Sequence, residues 1–129
     1  MLPFAVPPIR FPFRALAARA GHSALGGERE VGMAALMVAR LSCDALGGSA
    51  PDEKHREERA GAAKSWLASI AVPARARPAL ARALDATARD RAAITAALDD
   101  LAKVIAPWLD EASVAELRAV TAAPFVNSR

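Results

Sequence analysis

The stretch "TARDRAAITAALDDLAKVIAPW", residues 87–108, decides the fold. Within it Ile94, Ala97, Leu98, Leu101, Val104, Ile105 and Trp108 recur at intervals of three and four. That period places side chains on one face of an α-helix. Arg91, Thr95, Asp99 and Lys103 fall opposite, giving a wet side and a dry side. Thr87 and Asp90 have the spacing of a capping box at its start, and Pro107 disturbs its end. A one-sided helix must bury its stripe against other elements, so the rest of the chain has to supply them.

Working outward, "EREVGMAALMVARLSCDAL" runs from Glu28 to Leu46 between two glycine pairs, 26–27 and 47–48, that act as helix punctuation. Neither pair carries the pattern of a phosphate loop, and no strand precedes either. Val31, Ala34, Ala35, Val38, Leu41, Ser42 and Ala45 share one face, yet Met33, Leu36 and Met37 lie elsewhere around the wheel. Only Arg29, Arg40 and Asp44 form a narrow polar strip. A helix apolar on most sides is central in a bundle or shared with a partner. Met33, Leu36 and Met37 are therefore the candidate interface residues.

Between these two helices, "SAPDEKHREER" reads as a helix start, with Ser49 as cap and Pro51 in the first turn. Its apolar stripe begins only at Ala60 and continues through Ala63, Leu67, Ile70 and Ala71, so the first half is expected to project into water. Pro73 ends it. A turn over 73–77 and a short helix from Pro78 to Ala86 follow. After Trp108, Asp110 or Ser113 caps a final helix, with Glu116 completing "SVAE". Before residue 28 a short helix from Phe13 to Ala20 closes at Gly21. No βαβ alternation is present.

The predicted fold is all-α: a compact, Ala-rich helical bundle of four principal helices plus one or two short ones, preceded by an extended Pro/Phe-rich arm. Residues 1–13 form the arm, 14–123 a single helical domain and 124–129 a tail. Alanine supplies roughly a quarter of the 129 residues, which favours helix but offers little area to bury. That raises the expectation of a homo-oligomer in which a second chain completes the core.

The arm, "MLPFAVPPIRFPFR", holds Phe4, Phe11 and Phe13, and its prolines stand at 3, 7, 8 and 12. It lacks a basic leader and an uninterrupted apolar run, so it does not read as a signal peptide. No PxxP spacing occurs, so it does not read as an SH3 ligand. Ile9, Phe11 and Phe13 alternate with Arg10 and Pro12, which sets three apolar side chains on one side of an extended segment reaching roughly 40 Å. Phe4, Ile9, Phe11 and Phe13 are accordingly the residues expected to dock on a partner or sister subunit.

Formal charge is +3, unevenly spread. Residues 1–27 carry arginines and no acid, and a second basic run spans 73–91. An acidic block follows over 99–116. Arg75, Arg77 and Arg82 are the candidate phosphate contacts of an alternative reading, a small basic protein bound non-specifically to DNA or RNA. A third reading is a helical enzyme or carrier with an apolar pocket near Trp66 and Trp108. For that reading the sequence assigns no catalytic, cofactor-binding or metal-ligating residue. Asp52 and His55 stand three apart on a helix, a ligand spacing, but in a strongly charged run suited to a solvated face. Cys43 is the single cysteine and sits on a largely apolar helix, where a free thiol acts as a small hydrophobe. It fits a reducing compartment, and the longest apolar run elsewhere, "VGMAALMVA", is too short to span a bilayer. The protein is predicted to be cytoplasmic.

Overall fold

The computed structural model describes residues 13–21, 27–47 and 52–122. Among the described residues the fold is all-α, with six α-helices and no strand. They are α1 (Arg14–Ala20), α2 (Glu28–Leu46), α3 (Glu53–Ser69), α4 (Arg77–Ala86), α5 (Arg91–Ile105) and α6 (Glu111–Ala122). A single 3-10 turn, Ala106–Trp108, joins α5 to α6, where Pro107 cannot continue the α-helical ladder. Residues 1–12, with Phe4, Ile9 and Phe11, lie outside the described residues, as do 123–129.

Helix α2 is the hub, packing on α1, α3, α4, α5 and α6. Its inner face buries Val31, Ala34, Ala35, Val38, Ala39 and Ser42. Against these stand Leu67 of α3, Leu80 and Leu84 of α4, Ile94, Leu98, Leu101 and Ile105 of α5, and Leu117 and Val120 of α6. The expected α5 stripe is the dry side of that helix. The apolar part of α3 starts at Ala60, and the turns before it are largely exposed.

Two glycines set how closely elements approach. At Gly32 an added Cβ would lie 2.9 Å from the backbone of Ala20 and Arg19, so α1 rests directly on the α2 backbone there. Gly27 precedes α2 with φ +87°, and a Cβ on it would meet the Pro73 ring at 2.7 Å.

Several local expectations change. Phe13 does not prolong an extended edge: its backbone is left-handed (φ 47°, ψ 39°) and its ring is 6% exposed inside the core. A left-handed non-glycine residue costs roughly 1–2 kcal/mol, and burying a phenylalanine ring returns roughly 1.5–3 kcal/mol, so burial wins. Phe13 thus belongs with α1 and not with residues 1–12. Asp52, rather than Ser49, caps α3, its carboxylate accepting from the N–H of His55 at 2.8 Å. At α5 the cap is Asp90 alone, accepting from the Ala93 N–H at 2.9 Å. Thr87 is buried and donates its hydroxyl to the Leu84 carbonyl at 2.6 Å, finishing α4.

Glu116 does not serve α6. Its carboxylate accepts from the N–H groups of Ala15 (2.9 Å) and Leu16 (3.0 Å), capping α1 from a hundred residues away. Nothing on α1 itself provides a side-chain cap. The two orphan donors and the positive end of the helix are met instead by an imported carboxylate.

Candidate interaction surface

Helix α1 lies in the angle between α2 and α6. Arg19 at its end pairs with Glu28 (3.7 Å) and with Asp110 (3.2 Å), while Glu116 holds its beginning. On the far side of α2, Arg59 of α3 reaches Asp44 at 3.3 Å. Between these flanks the outer side of α2 carries Arg29, Met33, Leu36, Met37, Arg40 and Asp44. Arg29 and Arg40 are exposed and the other four half-buried. Leu36 and Met37 touch the core from outside. The three candidate interface residues therefore sit together on the open side of the central helix. Trp66 of α3 also packs against the core from its edge. Trp66 is half-buried.

The candidate phosphate contacts are occupied within the chain. The guanidinium of Arg75 lies over the Trp108 ring, 5.6 Å from its centroid, at cation–π distance. Arg77 is half-buried and donates to the carbonyls of Leu67 (2.8 Å) and Ile70 (2.9 Å), closing the C-terminus of α3. Arg82 pairs with Asp100 at 3.0 Å. Nearby, Asp85 serves both Lys64 (3.5 Å) and Arg89 (3.8 Å), and Asp99 serves both Lys103 (3.3 Å) and Arg118 (3.4 Å). The basic and acidic blocks of the sequence thus meet at Arg82–Asp100, between α4 and α5, and at Arg19–Asp110.

The remaining chemistry-bearing residues are tied up. Asp52 holds His55 twice, through its N–H and its Nδ1 (3.0 Å), and both side chains are exposed. Those hydrogen bonds keep the Asp52 carboxyl below its ordinary value. Burial, reinforced by Asp44, pushes the Cys43 thiol up to about 12, so at neutral pH it is a packed hydrophobe and not a nucleophile. Among the described residues no three His, Cys, Asp or Glu side chains are placed to hold a metal ion. His22 lies outside the described residues.

Two surface clefts are sizeable. One of about 830 Å³ runs between α5 and α6, lined by alanines, Thr95, Leu98 and Thr121 together with Arg91, Asp99 and Arg118. Another of about 660 Å³ lies between α3 and the α4–α5 junction, lined by residues of both charge signs. Neither is lined by Trp66 or Trp108. No described helix is long and apolar enough to cross a membrane.

Glu116 and Arg77 are functional in the architecture, and sequence reasoning missed both roles. Glu116 looks like an ordinary capping-box acid in "SVAE", and Arg77 like one more arginine in a basic run. Their partners are backbone groups, which leave no trace in side-chain spacing. Comparison with known proteins finds no matching family, no matching curated protein and no matching solved structure.

Proposed function

We propose that this chain is a non-enzymatic, cytoplasmic assembly module that works as an oligomer. In this reading the proline–phenylalanine arm, through Phe4, Ile9 and Phe11, docks on a partner or sister subunit. The open side of α2, with Met33, Leu36 and Met37, supplies the second contact. The observation that carries the reading is the apolar strip left at the solvent side of the most central helix. Methionine suits such a surface because its unbranched, polarizable side chain adapts to aromatic partners. The chain that follows the arm is held in place, with Phe13 buried in the core and Ala15 and Leu16 bonded to Glu116. The nucleic-acid alternative has less support, since Arg77, one of its three arginines, is spent on the carbonyls of Leu67 and Ile70.

The test is native mass by light scattering for the full chain and for a chain lacking residues 1–12. Truncation has to stop at Pro12, because Phe13 is core. The expected result is a fall in oligomeric mass, or loss of a bound partner, with helix content unchanged by circular dichroism. An unchanged assembly with an unchanged partner set refutes the proposal.

A further inference from the structure

The outer strip of α2 is evenly spaced about its middle, with unlike residues at matching positions. Arg29, Met33, Leu36, Met37, Arg40 and Asp44 are separated by four, three, one, three and four positions, a spacing symmetric about the midpoint between Leu36 and Met37. A two-fold axis through that midpoint, perpendicular to the helix, superposes each position of the strip on another. It brings Leu36 against Met37 of a second copy, Met33 against Arg40, and Arg29 against Asp44. The apolar side chains then form the centre. The aliphatic stems of Arg40 cover the methionines, and opposite charges meet at both ends.

We infer that the occupant of this face is a second copy of the same chain, with the two α2 helices packed antiparallel about that axis. The inference rests on the assembly reading above and names its partner and register. Charge complementarity is the argument for a second copy. Among the described residues Arg29 pairs with Glu30, at the 4.0 Å limit, and its side chain is half exposed. Among the same residues Asp44 pairs with Arg59, at 3.3 Å, through side chains that are both more than 40% exposed. Such exposed pairs hold little energy, so Asp44 accepts a second arginine without an internal pair having to break. Arg40 makes no ion pair among the described residues. A parallel arrangement would instead stack Arg29 on Arg29 and Arg40 on Arg40.

A helix of 19 residues offers a contact roughly 28 Å by 10 Å, about 300 Å² per copy against the ~800 Å² per partner of a stable interface, so the pairing is expected to be weak and to grow across a concentration series.

The experiment is sedimentation velocity on the full chain over a concentration series. Arg29→Asp, Asp44→Arg and the double exchange R29D/D44R are compared, with helix content as the folding control. Each single reversal creates two like-charge contacts and is expected to weaken the dimer at least tenfold. The double exchange restores the pairing and is expected to return the dissociation constant to within about threefold of the parent. In a C43S background, Leu36→Cys lies beside the axis, so a short bismaleimide is expected to link two chains through it. A dimer indifferent to both reversals, or not linked through position 36, overturns the inference and leaves the assembly reading standing. A chain that is monomeric at every concentration, indifferent to loss of residues 1–12 and without a bound partner overturns both.

Discussion

Replacing Glu116 by alanine removes the cap of a helix that has no cap of its own. Two half-buried N–H groups, those of Ala15 and Leu16, lose their acceptor, and the first turn of α1 loses a carboxylate at its positive end. Loss of a capping side chain costs typically about 1 kcal/mol and up to ~2, and the dipole contributes a further ~0.3–1 kcal/mol. We expect a total near 2 kcal/mol. For a chain of this size that corresponds to a fall of roughly 8 °C in the unfolding midpoint. Glu116→Gln keeps one acceptor oxygen and is expected to lose about half as much. Urea unfolding followed by circular dichroism measures the energy, and amide exchange at Ala15 and Leu16 locates it. If Glu116→Ala changes stability by less than about 0.5 kcal/mol, or protects those amides as well as the parent does, the tether is not what holds α1.

Three further outcomes follow from the packing and the charges. Gly32→Ala drives a Cβ to 2.9 Å from the backbone of α1, and overpacking of this kind is expected to destabilise by about 1–3 kcal/mol; Gly61→Ala, with nothing within 4 Å, is expected to stabilise by about 0.5–1 kcal/mol, as thermal unfolding of the pair checks. Arg77→Ala leaves the Leu67 and Ile70 carbonyls without their charged donor, for a loss of about 2 kcal/mol, and Arg77→Lys recovers less than half because an ammonium lacks the fork. In acid, Asp52 and Asp110 have folded-state values below their ordinary 3.8, Asp110 through the N–H of Ser113 and the Arg19 guanidinium. Their stabilisation is full above 3.8 and is lost as pH falls through that value toward the lower folded ones. Asp110→Asn is therefore expected to flatten the acid limb of a stability–pH curve below pH 4, read by urea titration at each pH.

The elements most legible in the sequence are those whose limits depend on local chemistry. Helix α2 keeps its expected bounds, Glu28 and Leu46, because glycines flank both ends. Helix α5 is visible because its stripe is made of large residues at strict helical spacing. In α4 the start falls at Arg77, one residue before Pro78, because the Ala76 and Arg77 N–H groups already turn onto the Pro73 carbonyl. Phe13 reads as part of the arm because alternation with Pro12 mimics a strand, and only three-dimensional burial reveals otherwise. The candidate surface was half legible. Wheel position separated Met33, Leu36 and Met37 from the inner face of α2. The fate of Arg75, Arg77 and Arg82 depended on which acids, rings and carbonyls the fold brings to them.

The contact between Gly27 and Pro73 has an evolutionary reading. The two positions lie in different connections, one leading into α2 and the other joining α3 to α4, and the proline ring occupies the volume that any side chain at 27 would require. Position 27 cannot gain a side chain while the proline ring remains. A variant carrying asparagine at 27, the residue that best tolerates the left-handed backbone there, is expected to be accepted only where 73 has already lost its ring. Related chains would then carry the two positions as a correlated pair, a sequence signature of two loops pressed together at one pole of the fold.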